Sequence, residues 1–352
     1  MSSTTTLTAR TVTLVGPREV EIRDEPLRGP GPHEVLIQTL YSGISAGTEM
    51  NVYRGVAPLW RTRRDPTTGL FEPADTPEWS YPMAYGYAAV GRVVERGSEV
   101  TGIEVGQIVY TNTPHSSASV VDASSVVVLP ELDDARVAVL DANLNTALNG
   151  VLDAHPSFGD VVVVSGLGVI GLIVVQLLAR LGVTIVGLDA LEYRRDLARR
   201  FGADLVLTPG TDVAARVRAI THNRGADIVI EVSGASGALN EAIRIAGYCG
   251  TIIAMSWYGG TFESLNLAGE FHHNRPRIVA SQVGGLNPHL GPLWSLARRQ
   301  ELAARLMKEL DLTSLLTHQF DVEDAATAYA LIDSRPEGLV QCLISYGGEA
   351  EM

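Results

Sequence analysis

Cysteine is scarce in this sequence of 352 residues, which holds only Cys249 and Cys342. Two thiols are too few for a disulfide framework or for a zinc site made of four cysteines. Both also lie inside apolar runs, where a free cysteine usually packs as a small hydrophobic residue. The sequence therefore predicts two buried thiols in a reducing, cytoplasmic setting.

Positive charge is also in deficit, because 27 Lys and Arg stand against 40 Asp and Glu, a formal net charge of -13. Such a surface repels nucleic acid and anionic lipid, so we expect neither as a partner. The N-terminus lacks the apolar core of a secretory signal. One apolar run, 161–179, approaches the length of a membrane span, but its Ser165, Gln176 and spaced glycines favour a buried strand, turn and helix.

Short β-like runs separated by turn residues fill the first third of the chain, which predicts a β-rich domain. Near Pro130 the pattern changes to apolar strands that alternate with amphipathic helices, as in a parallel sheet covered on both faces. The length suits two domains. The predicted fold class is therefore α/β, with a β-rich domain and a doubly wound parallel sheet, and the tail ends in a strand that could return to the first domain.

The stretch "VVVVSGLGVIG" places Gly166, Gly168 and Gly171 in G-x-G-x-x-G spacing between an apolar strand and a helix. In that context the glycines permit a tight turn, close approach of the backbone to a pyrophosphate, and packing of helix on strand. A phosphate would then lie at the helix N-terminus, near Val169 and Ile170. A structural turn is the alternative, and we predict a dinucleotide site.

Asp189 follows the second strand of this region, 18 positions after Gly171. An acid at about that distance binds the adenosine ribose hydroxyls of NAD(H) and repels a 2′-phosphate. NAD(H) is therefore the favoured cofactor, and the adjacent Arg194 leaves NADP(H) possible. A helix-terminal acid beside solvated arginines is the alternative interpretation.

A set of motifs in fixed order resembles the medium-chain dehydrogenase/reductase family. They are "EVLIQTLYSGIS", "YGYAAVGRVVERGSEV", "GQIVYT", "NLNTALNGV" and "VVVVSGLGVIGLIVVQLLARLG". The resemblance implies a GroES-like catalytic domain at 1–144 plus 286–352 and a Rossmann cofactor domain at 145–285. It also implies a small-molecule substrate and a homodimer.

The zinc ligands of that family are missing here. Ser45, Tyr87 and Ala142 stand at or near the positions where the family places Cys, His, and Cys or an acid, and the lobe of four cysteines is absent. The histidines, His115 among them, show no ligand spacing. Since even an open zinc site needs three protein ligands, the sequence predicts no zinc and no other metal.

"SGISAGTE" followed by "YPMAYGYAAVGRVVE" is further similar to a zinc-lacking subgroup, the bacteriochlorophyllide hydroxyethyl dehydrogenases. The similarity implies hydride transfer at a secondary alcohol without zinc. A side chain must then stabilise the charge on oxygen, and the candidates are Tyr87, Thr48 and Ser45, with Glu49 as a base or as the group that orients Tyr87. Barrel filling, turn hydroxyls and a structural acid are the respective alternatives.

Other positions follow from the resemblance. Thr146 resembles the family residue beneath the nicotinamide, and Ser233 and Ser256 follow strands at the edge where open α/β sheets bind ligands, although each could be a plain turn residue. The link 54–81 is longer than usual in the family. Its arginines and tryptophans suit an anionic or aromatic substrate, a solvated loop or a subunit contact.

These observations predict a zinc-independent, NAD(P)-dependent oxidoreductase that acts on a secondary alcohol or ketone of a biosynthetic small molecule. A reductase of conjugated enones is the alternative within the same class of enzymes. A dinucleotide-binding protein without catalytic activity is the alternative outside it.

Overall fold

The computed structural model describes residues 7–76, 78–258 and 265–347. Two compact units divide the chain: the first extends to Ala142 and resumes at Leu316, and the second spans Asn143 to Leu315. Within the described residues, no helix is both long enough and apolar enough to cross a bilayer. The apolar run at 161–179 instead forms a strand and a helix of the second unit.

In the described part of the first unit, ten strands precede Ala142, where the chain passes to the second unit. They are β1 (Leu7–Gly16), β2 (Glu19–Leu27), β3 (Glu34–Ile44), β4 (Thr62–Arg64), β5 (Phe71–Pro73), β6 (Met83–Ala84), β7 (Ala89–Arg96), β8 (Ile108–Thr111), β9 (Ala118–Asp122) and β10 (Val127–Val128), with helix α1 (Thr48–Tyr53) between β3 and β4. Short 3₁₀ turns lie at Pro58–Trp60, Ala123–Ser125 and Ala135–Leu140. β3 is the central strand, and its apolar residues are buried because both β7 and β9 pair with it.

The second unit alternates helices and strands. Its elements are α2 (Asp141–Ala154, which begins in the first unit), β11 (Val161–Ser165), α3 (Val169–Leu178), β12 (Thr184–Leu188), α4 (Glu192–Arg200), β13 (Leu205–Leu207), α5 (Val213–Ile220), β14 (Ala226–Glu231), α6 (Ser236–Ile245), β15 (Ala246–Ala254), α7 (His272–Asn274), β16 (Arg277–Ala280) and α8 (Leu296–Glu309). A π-helical turn at Leu267–Phe271 and 3₁₀ turns at Pro288–Leu293 and Thr313–Leu315 complete it.

Within the described residues, the second unit has six strands, all of them parallel, in the order β13-β12-β11-β14-β15-β16. This order is that of a doubly wound dinucleotide-binding sheet, in which the chain reverses direction beside the first strand. All five residues of β11 are buried, as expected for a strand covered on both faces. The predicted fold class is therefore confirmed.

The boundary of the second unit differs from the sequence expectation. Residues 286–315, which the resemblance assigned to the catalytic domain, belong to the second unit. The physical reason is that α8 is bonded to α2: the Arg299 guanidinium donates to Asn149 Oδ1 at 2.6 Å, and Asn145 donates to Gln300 at 2.9 Å. The return to the first unit therefore occurs later, at Leu316.

The returning tail forms β17 (Leu316–Asp321), a 3₁₀ turn (Val322–Asp324), α9 (Ala325–Ser334) and β18 (Gln341–Ser345). β18 pairs with β3 on one side and with β17 on the other, so it lies inside the large sheet β10-β8-β7-β3-β18-β17. A smaller sheet, β2-β1-β6, and the hairpin β4-β5 belong to the same unit. The tail thus brings α9 and β18 against the segment that follows β3.

Candidate active site

The glycine-rich loop joins β11 to α3, and its glycines are required by close contacts. Gly166 has φ +100°, and a Cβ there would lie 2.7 Å from the Ser233 nitrogen. A Cβ on Gly171 would lie 1.9 Å from the Gly166 carbonyl oxygen, so only glycine lets α3 pack this closely. Gly168 is the N-cap of α3, and no side chain caps the helix from that position. The loop therefore leaves the first-turn N–H groups available for an anion.

Val169 and Ile170 form that first turn, as the sequence predicts. Val169 is buried, so any contact that it makes with a ligand uses its backbone, and Ile170 is half-buried. The helix itself is ten residues long and almost wholly buried. A pyrophosphate at this end would meet fixed backbone N–H groups together with the positive end of the helix dipole.

Asp189 follows β12 and is tied to the loop. Its Oδ2 accepts the Leu167 N–H at 2.8 Å, and its Oδ1 accepts the Leu191 N–H at 2.9 Å. Arg194 Nη1 lies 3.8 Å from Asp189 Oδ2 and 3.9 Å from the Cβ position of Gly168. Both predicted adenosine contacts, the acid and the arginine, are therefore adjacent to the loop.

Ser233 and Ser256 follow β14 and β15 at the same edge of the sheet. The Ser233 hydroxyl donates to Glu231 at 2.6 Å, and Glu231 is completely buried. The Ser256 hydroxyl lies 3.7 Å from the Cβ position of Gly234. The two serines therefore lie side by side at the carboxyl ends of the strands, where ligands bind in open α/β sheets.

Thr146 is half-buried on α2. Gly150, one helical turn further along, lets that helix approach β15, because a Cβ there would lie 2.3 Å from Met255 Sδ. Met255 directly precedes Ser256. Thr146 is therefore carried by a helix that packs on the same end of the sheet as the loop and the two serines.

A cavity of about 1130 Å³ also belongs to this unit, but it lies at the other edge of the sheet. Its lining includes the first residue of β14, Ala226, together with Gly247 near the start of β15 and Arg277 at the start of β16. Those are amino ends of parallel strands. The cavity is therefore separate from the glycine-rich loop.

A cluster of hydroxyl groups lies in the first unit. Ser45 and Thr48 belong to the segment 45–48, here called the hydroxyl turn, which follows β3 and ends at the first residue of α1, and both hydroxyls lie close enough to the Tyr87 phenol to affect its pKa. Burial raises the pKa of the Tyr87 phenol, and the nearby Glu49 raises it further, whereas the two hydroxyls partly lower it. Tyr87 is therefore a protonated hydrogen-bond donor at neutral pH.

Glu49 follows the hydroxyl turn and has no exposure to solvent. Its Oε1 accepts the Ser45 backbone N–H at 2.8 Å, and its Oε2 accepts the Tyr329 hydroxyl at 3.0 Å. His115 Nε2 lies 2.8 Å from the same Oε2. The acid is thus held by three donors, and one of them fixes the turn that carries Ser45.

His115 is the functional candidate that the sequence interpretation missed. It lies between β8 and β9, its side chain is completely buried, and its Nδ1 is 2.7 Å from the Ser42 hydroxyl. Because a carboxylate only accepts, we assign the imidazole proton to Nε2, which leaves Nδ1 to accept from Ser42. Nothing in its spacing could have revealed this, since Glu49 is 66 residues away in sequence.

The positions of the family's zinc ligands meet in the first unit, but their chemistry differs. The Tyr87 hydroxyl lies beside the Ser45 side chain, and the Tyr110 hydroxyl links the Tyr87 and Ala142 positions, since it donates to the Tyr87 carbonyl at 2.6 Å and accepts from the Ala142 N–H. A phenol, an alcohol and a methyl group do not fit tetrahedral zinc, which takes thiolate, imidazole or carboxylate ligands. Among residues 7–76, 78–258 and 265–347, no cluster of three or more His, Cys, Asp or Glu could hold a metal.

A series of aromatic rings leads away from Tyr87. The segment 58–87, here called the aromatic segment, brings Tyr85 to 6.4 Å from Tyr87 and Trp79 to 5.4 Å from Tyr85, measured between ring centroids. Trp60 then stacks on Tyr81 at 4.2 Å. The link that the sequence identified as unusually long therefore supplies half-buried aromatic side chains beside the hydroxyl cluster.

Comparison with known proteins agrees with this architecture. The family model described as "Zinc-binding dehydrogenase" matches residues 169–298. D-guloside 3-dehydrogenase of Escherichia coli (strain K12) is 33% identical over 327 residues, which cover 89% of this chain and 93% of that protein.

Two solved structures show the fold. A short chain alcohol dehydrogenase from E. coli CFT073, complexed with NADH, has a TM-score of 0.76 at 18% identity and covers 96% of this chain and 99% of its own. A protein from Sinorhizobium meliloti 1021, bound to NADP, has a TM-score of 0.76 at 21% identity, with coverage of 96% and 99%. From the match to the E. coli dehydrogenase over most of both sequences, we conclude that the chain belongs to the medium-chain, zinc-binding type of the alcohol dehydrogenase family.

Proposed function

We propose that this protein is a zinc-independent, NAD(P)-dependent dehydrogenase or reductase that interconverts a secondary alcohol and a ketone. The observation that carries the proposal is the Tyr87 hydroxyl, which stands at a zinc-ligand position beside the Ser45 and Thr48 hydroxyls. A hydroxyl donor there can take the part that a Lewis acid takes in zinc enzymes, since both stabilise negative charge on the reacting oxygen.

The cofactor proposal rests on the glycine-rich loop and Asp189. The loop offers N–H groups to a pyrophosphate, and the carboxylate of Asp189 favours ribose hydroxyls over a 2′-phosphate, so NAD(H) is preferred. Arg194, 3.8 Å from Asp189, supplies a positive charge that keeps NADP(H) possible. The two related structures hold NADH and NADP, one of each. When bound, the nicotinamide accepts or supplies the hydride.

The protein's own contribution is the position of one proton. Because the pKa of Tyr87 is raised by burial, its hydroxyl stays protonated and donates a hydrogen bond to the substrate oxygen. As charge develops on that oxygen, the bond strengthens, and the proton is shared or transferred. Ser45 and Thr48 hold the phenol oxygen and can pass it a replacement proton.

We further propose a ring-bearing, polyhydroxylated substrate such as a sugar glycoside. The E. coli relative is named for action on a guloside, and the aromatic segment supplies flat apolar faces beside Tyr87. Binding sites for organic ligands combine such faces with a few placed polar groups. The hydroxyl turn supplies those polar groups here.

A homodimer is part of the proposal. Within the part of the chain that the structure describes, β16 is the last strand of the parallel sheet, and its Arg277 and Ile278 side chains are exposed. An uncovered edge strand of this kind favours pairing with a second copy. Light scattering at micromolar concentration is expected to give the mass of two chains, and the mass of one chain would contradict it.

The function is tested by turnover. The purified protein would be incubated with NAD⁺ or NADP⁺ and a panel of methyl hexopyranosides, cyclohexanediol and 2-butanol, and separately with NADH or NADPH and a conjugated enone. Product analysis of the two assays separates alcohol oxidation from enone reduction. Tyr87→Phe is expected to lower kcat by about a hundredfold, the usual loss for one oxyanion donor. An unchanged rate would refute the role of Tyr87.

The metal proposal has its own measurement. We expect no stoichiometric zinc by elemental analysis and no loss of activity after dialysis against a chelator. Bound zinc, with activity lost on chelation and restored by the ion, would overturn zinc independence while leaving the dehydrogenase assignment in place.

A further inference from the structure

Glu49 and His115 form a completely buried pair that the proposed reaction does not use directly. His115 Nε2 lies 2.8 Å from Glu49 Oε2, and neither side chain is exposed to solvent. A buried acid and a buried imidazole are costly to desolvate, so they persist only where hydrogen bonds satisfy them. Their other hydrogen-bond partners show which part of the molecule the pair holds in place.

The contacts of Glu49 point to the hydroxyl turn. Its Oε1 accepts the Ser45 N–H at 2.8 Å, which spans the turn from one end to the other, because Glu49 itself follows Thr48. The carboxylate therefore closes the loop of chain that carries both hydroxyls beside Tyr87. A shift of the carboxylate would move these hydroxyls and, with them, the phenol.

The contacts of His115 fix the orientation of the imidazole that is bonded to this carboxylate. The second ring nitrogen, Nδ1, is 2.7 Å from Ser42 Oγ, and Ser42 Oγ is 2.8 Å from the Tyr346 hydroxyl. Gly86 leaves room for the ring, since a Cβ there would lie 2.9 Å from His115 Cδ2. The imidazole is thus locked at both nitrogens, and its direction toward Glu49 is fixed.

We propose that His115 is a positioning residue, which holds Glu49 and through it sets the orientation of the Tyr87 hydroxyl. The inference rests on the proposed function, because it assigns His115 a role in the same reaction. Among the described residues, no hydrogen bond or ring contact joins His115 to Tyr87 directly, so its effect on the rate passes through the carboxylate and the hydroxyl turn.

Two variants separate the two ring nitrogens. In His115→Gln the side-chain amide reaches the place of Nε2 and can still donate to Glu49, whereas in His115→Asn the shorter amide reaches the place of Nδ1 and meets only Ser42. We expect His115→Asn to lower kcat about tenfold or more, as loss of a supporting group does around other reactive sites, and His115→Gln to restore most of it. Equal kcat for the two variants would overturn the proposal.

Ser42→Ala tests the other end of the ring. It removes the Nδ1 contact and leaves the Glu49 contact, so we expect a loss of kcat that is smaller than the loss in His115→Asn. A loss as large as that of His115→Asn would show that burial of the network, rather than the hold on Glu49, determines the rate.

A double-mutant cycle with Tyr87→Phe separates positioning from general destabilisation. If His115 acts through the Tyr87 hydroxyl, His115→Asn is expected to lower kcat much less in the Tyr87→Phe background than in the wild type. Fully additive losses would overturn the inference. Where His115→Asn does not fold, Tyr329→Phe, which deletes another donor to Glu49, takes its place in the same cycle with the same expectation.

The two failures are distinguishable. An additive cycle with a slow Tyr87→Phe enzyme overturns only the role of His115. A Tyr87→Phe enzyme as fast as the wild type, or a wild type that turns over no member of the substrate panel, overturns the proposed function and this inference with it. The melting temperature and the affinity for NADH, measured for every variant, show whether a loss of kcat follows from unfolding or from cofactor binding.

Discussion

Asp189 Oδ2 accepts the Leu167 N–H at 2.8 Å, so the acid at the end of β12 is part of the glycine-rich loop. Its other oxygen holds the Leu191 N–H at 2.9 Å, at the start of α4. A single carboxylate therefore fixes the backbone on both sides of the predicted adenosine site. Its removal should disturb the loop as well as the ribose contact.

We expect Asp189→Ala to weaken binding of NAD(H) about tenfold or more, since hydrogen bonds to a charged group are worth roughly 1.5–3 kcal/mol. Fluorescence titration with NADH measures the change. Asp196 is an exposed acid on helix α4, which follows Asp189. Asp196→Ala is therefore the control and should leave the affinity for NADH unchanged. Equal affinities for Asp189→Ala and the wild type would contradict the assignment of this site.

Gly171→Ala is expected to abolish binding of NADH and to lower the melting temperature. The added methyl group would lie 1.9 Å from the Gly166 carbonyl oxygen, a distance that the packed helix and strand cannot accommodate. Gly237→Ala on α6 is the matched control, because open space surrounds that position. It should leave stability unchanged or raise it by about 0.5–1 kcal/mol. Full cofactor binding by Gly171→Ala would show that the loop is not the dinucleotide site.

Trp79→Ala tests the substrate class. The centroid of its ring lies 5.4 Å from that of Tyr85, which in turn lies 6.4 Å from that of Tyr87. Loss of the Trp79 ring therefore removes an aromatic face near the Tyr87 side chain. We expect KM for a methyl hexopyranoside to rise about tenfold, the scale of one aromatic contact, while KM for 2-butanol stays constant. Phe71→Ala, an exposed ring on the nearby hairpin, is the control. Equal changes for both alcohols would argue against a ring-binding surface.

Asp333 gives a test of stability against pH. The carboxylate accepts from Arg54 at 2.6 Å and from Arg18 at 3.0 Å. Burial alone would raise the pKa of Asp333, but the hydrogen bonds and charges of the two arginines outweigh it and lower the pKa. A lowered folded-state pKa contributes stability above the unfolded value and loses it as pH falls through the folded value.

Asp333→Asn is accordingly expected to destabilise the protein by about 1–2 kcal/mol at pH 7. The difference between variant and wild type should shrink as the pH is lowered below about 4, where the unfolded carboxyl is protonated. Melting temperatures of variant and wild type at pH 7 and at a pH below about 4 measure this difference. The same difference in stability under both conditions would mean that the ion pair is not its source.

The geometry around the candidate cofactor residues could be predicted from the sequence because its signals are local. Gly166, Gly168 and Gly171 lie within six residues, and the strand and helix that flank them have clear apolar patterns. The strand order of the sheet follows the general rule for such alternation. Only short-range geometry is needed to place these residues.

The cluster around Tyr87 could be predicted only in part. Ser45, Thr48 and Tyr87 are candidates from the resemblance, which fixes their positions in a family pattern. His115 could not be found, because its approach to Glu49 depends on pairing across the first unit, such as the bridge between Thr11 and Ser116. The predicted start of the returning tail, residue 286, differs from the observed start at Leu316. A long-range contact that the sequence does not reveal, the hydrogen bond from Arg299 to Asn149, keeps the intervening residues in the second unit.

The place of β18 within the large sheet has a consequence for protein synthesis. All five of its residues are buried between β3 and β17, and they are synthesised long after β3. Tyr329, which donates to Glu49, is likewise made 280 residues after its acceptor. Although the N-terminal part of a chain can begin to fold during translation, the buried acid gains its full set of donors only after α9 has been made. A nascent chain that stalls before α9 therefore carries the Tyr87 phenol on an unfinished support.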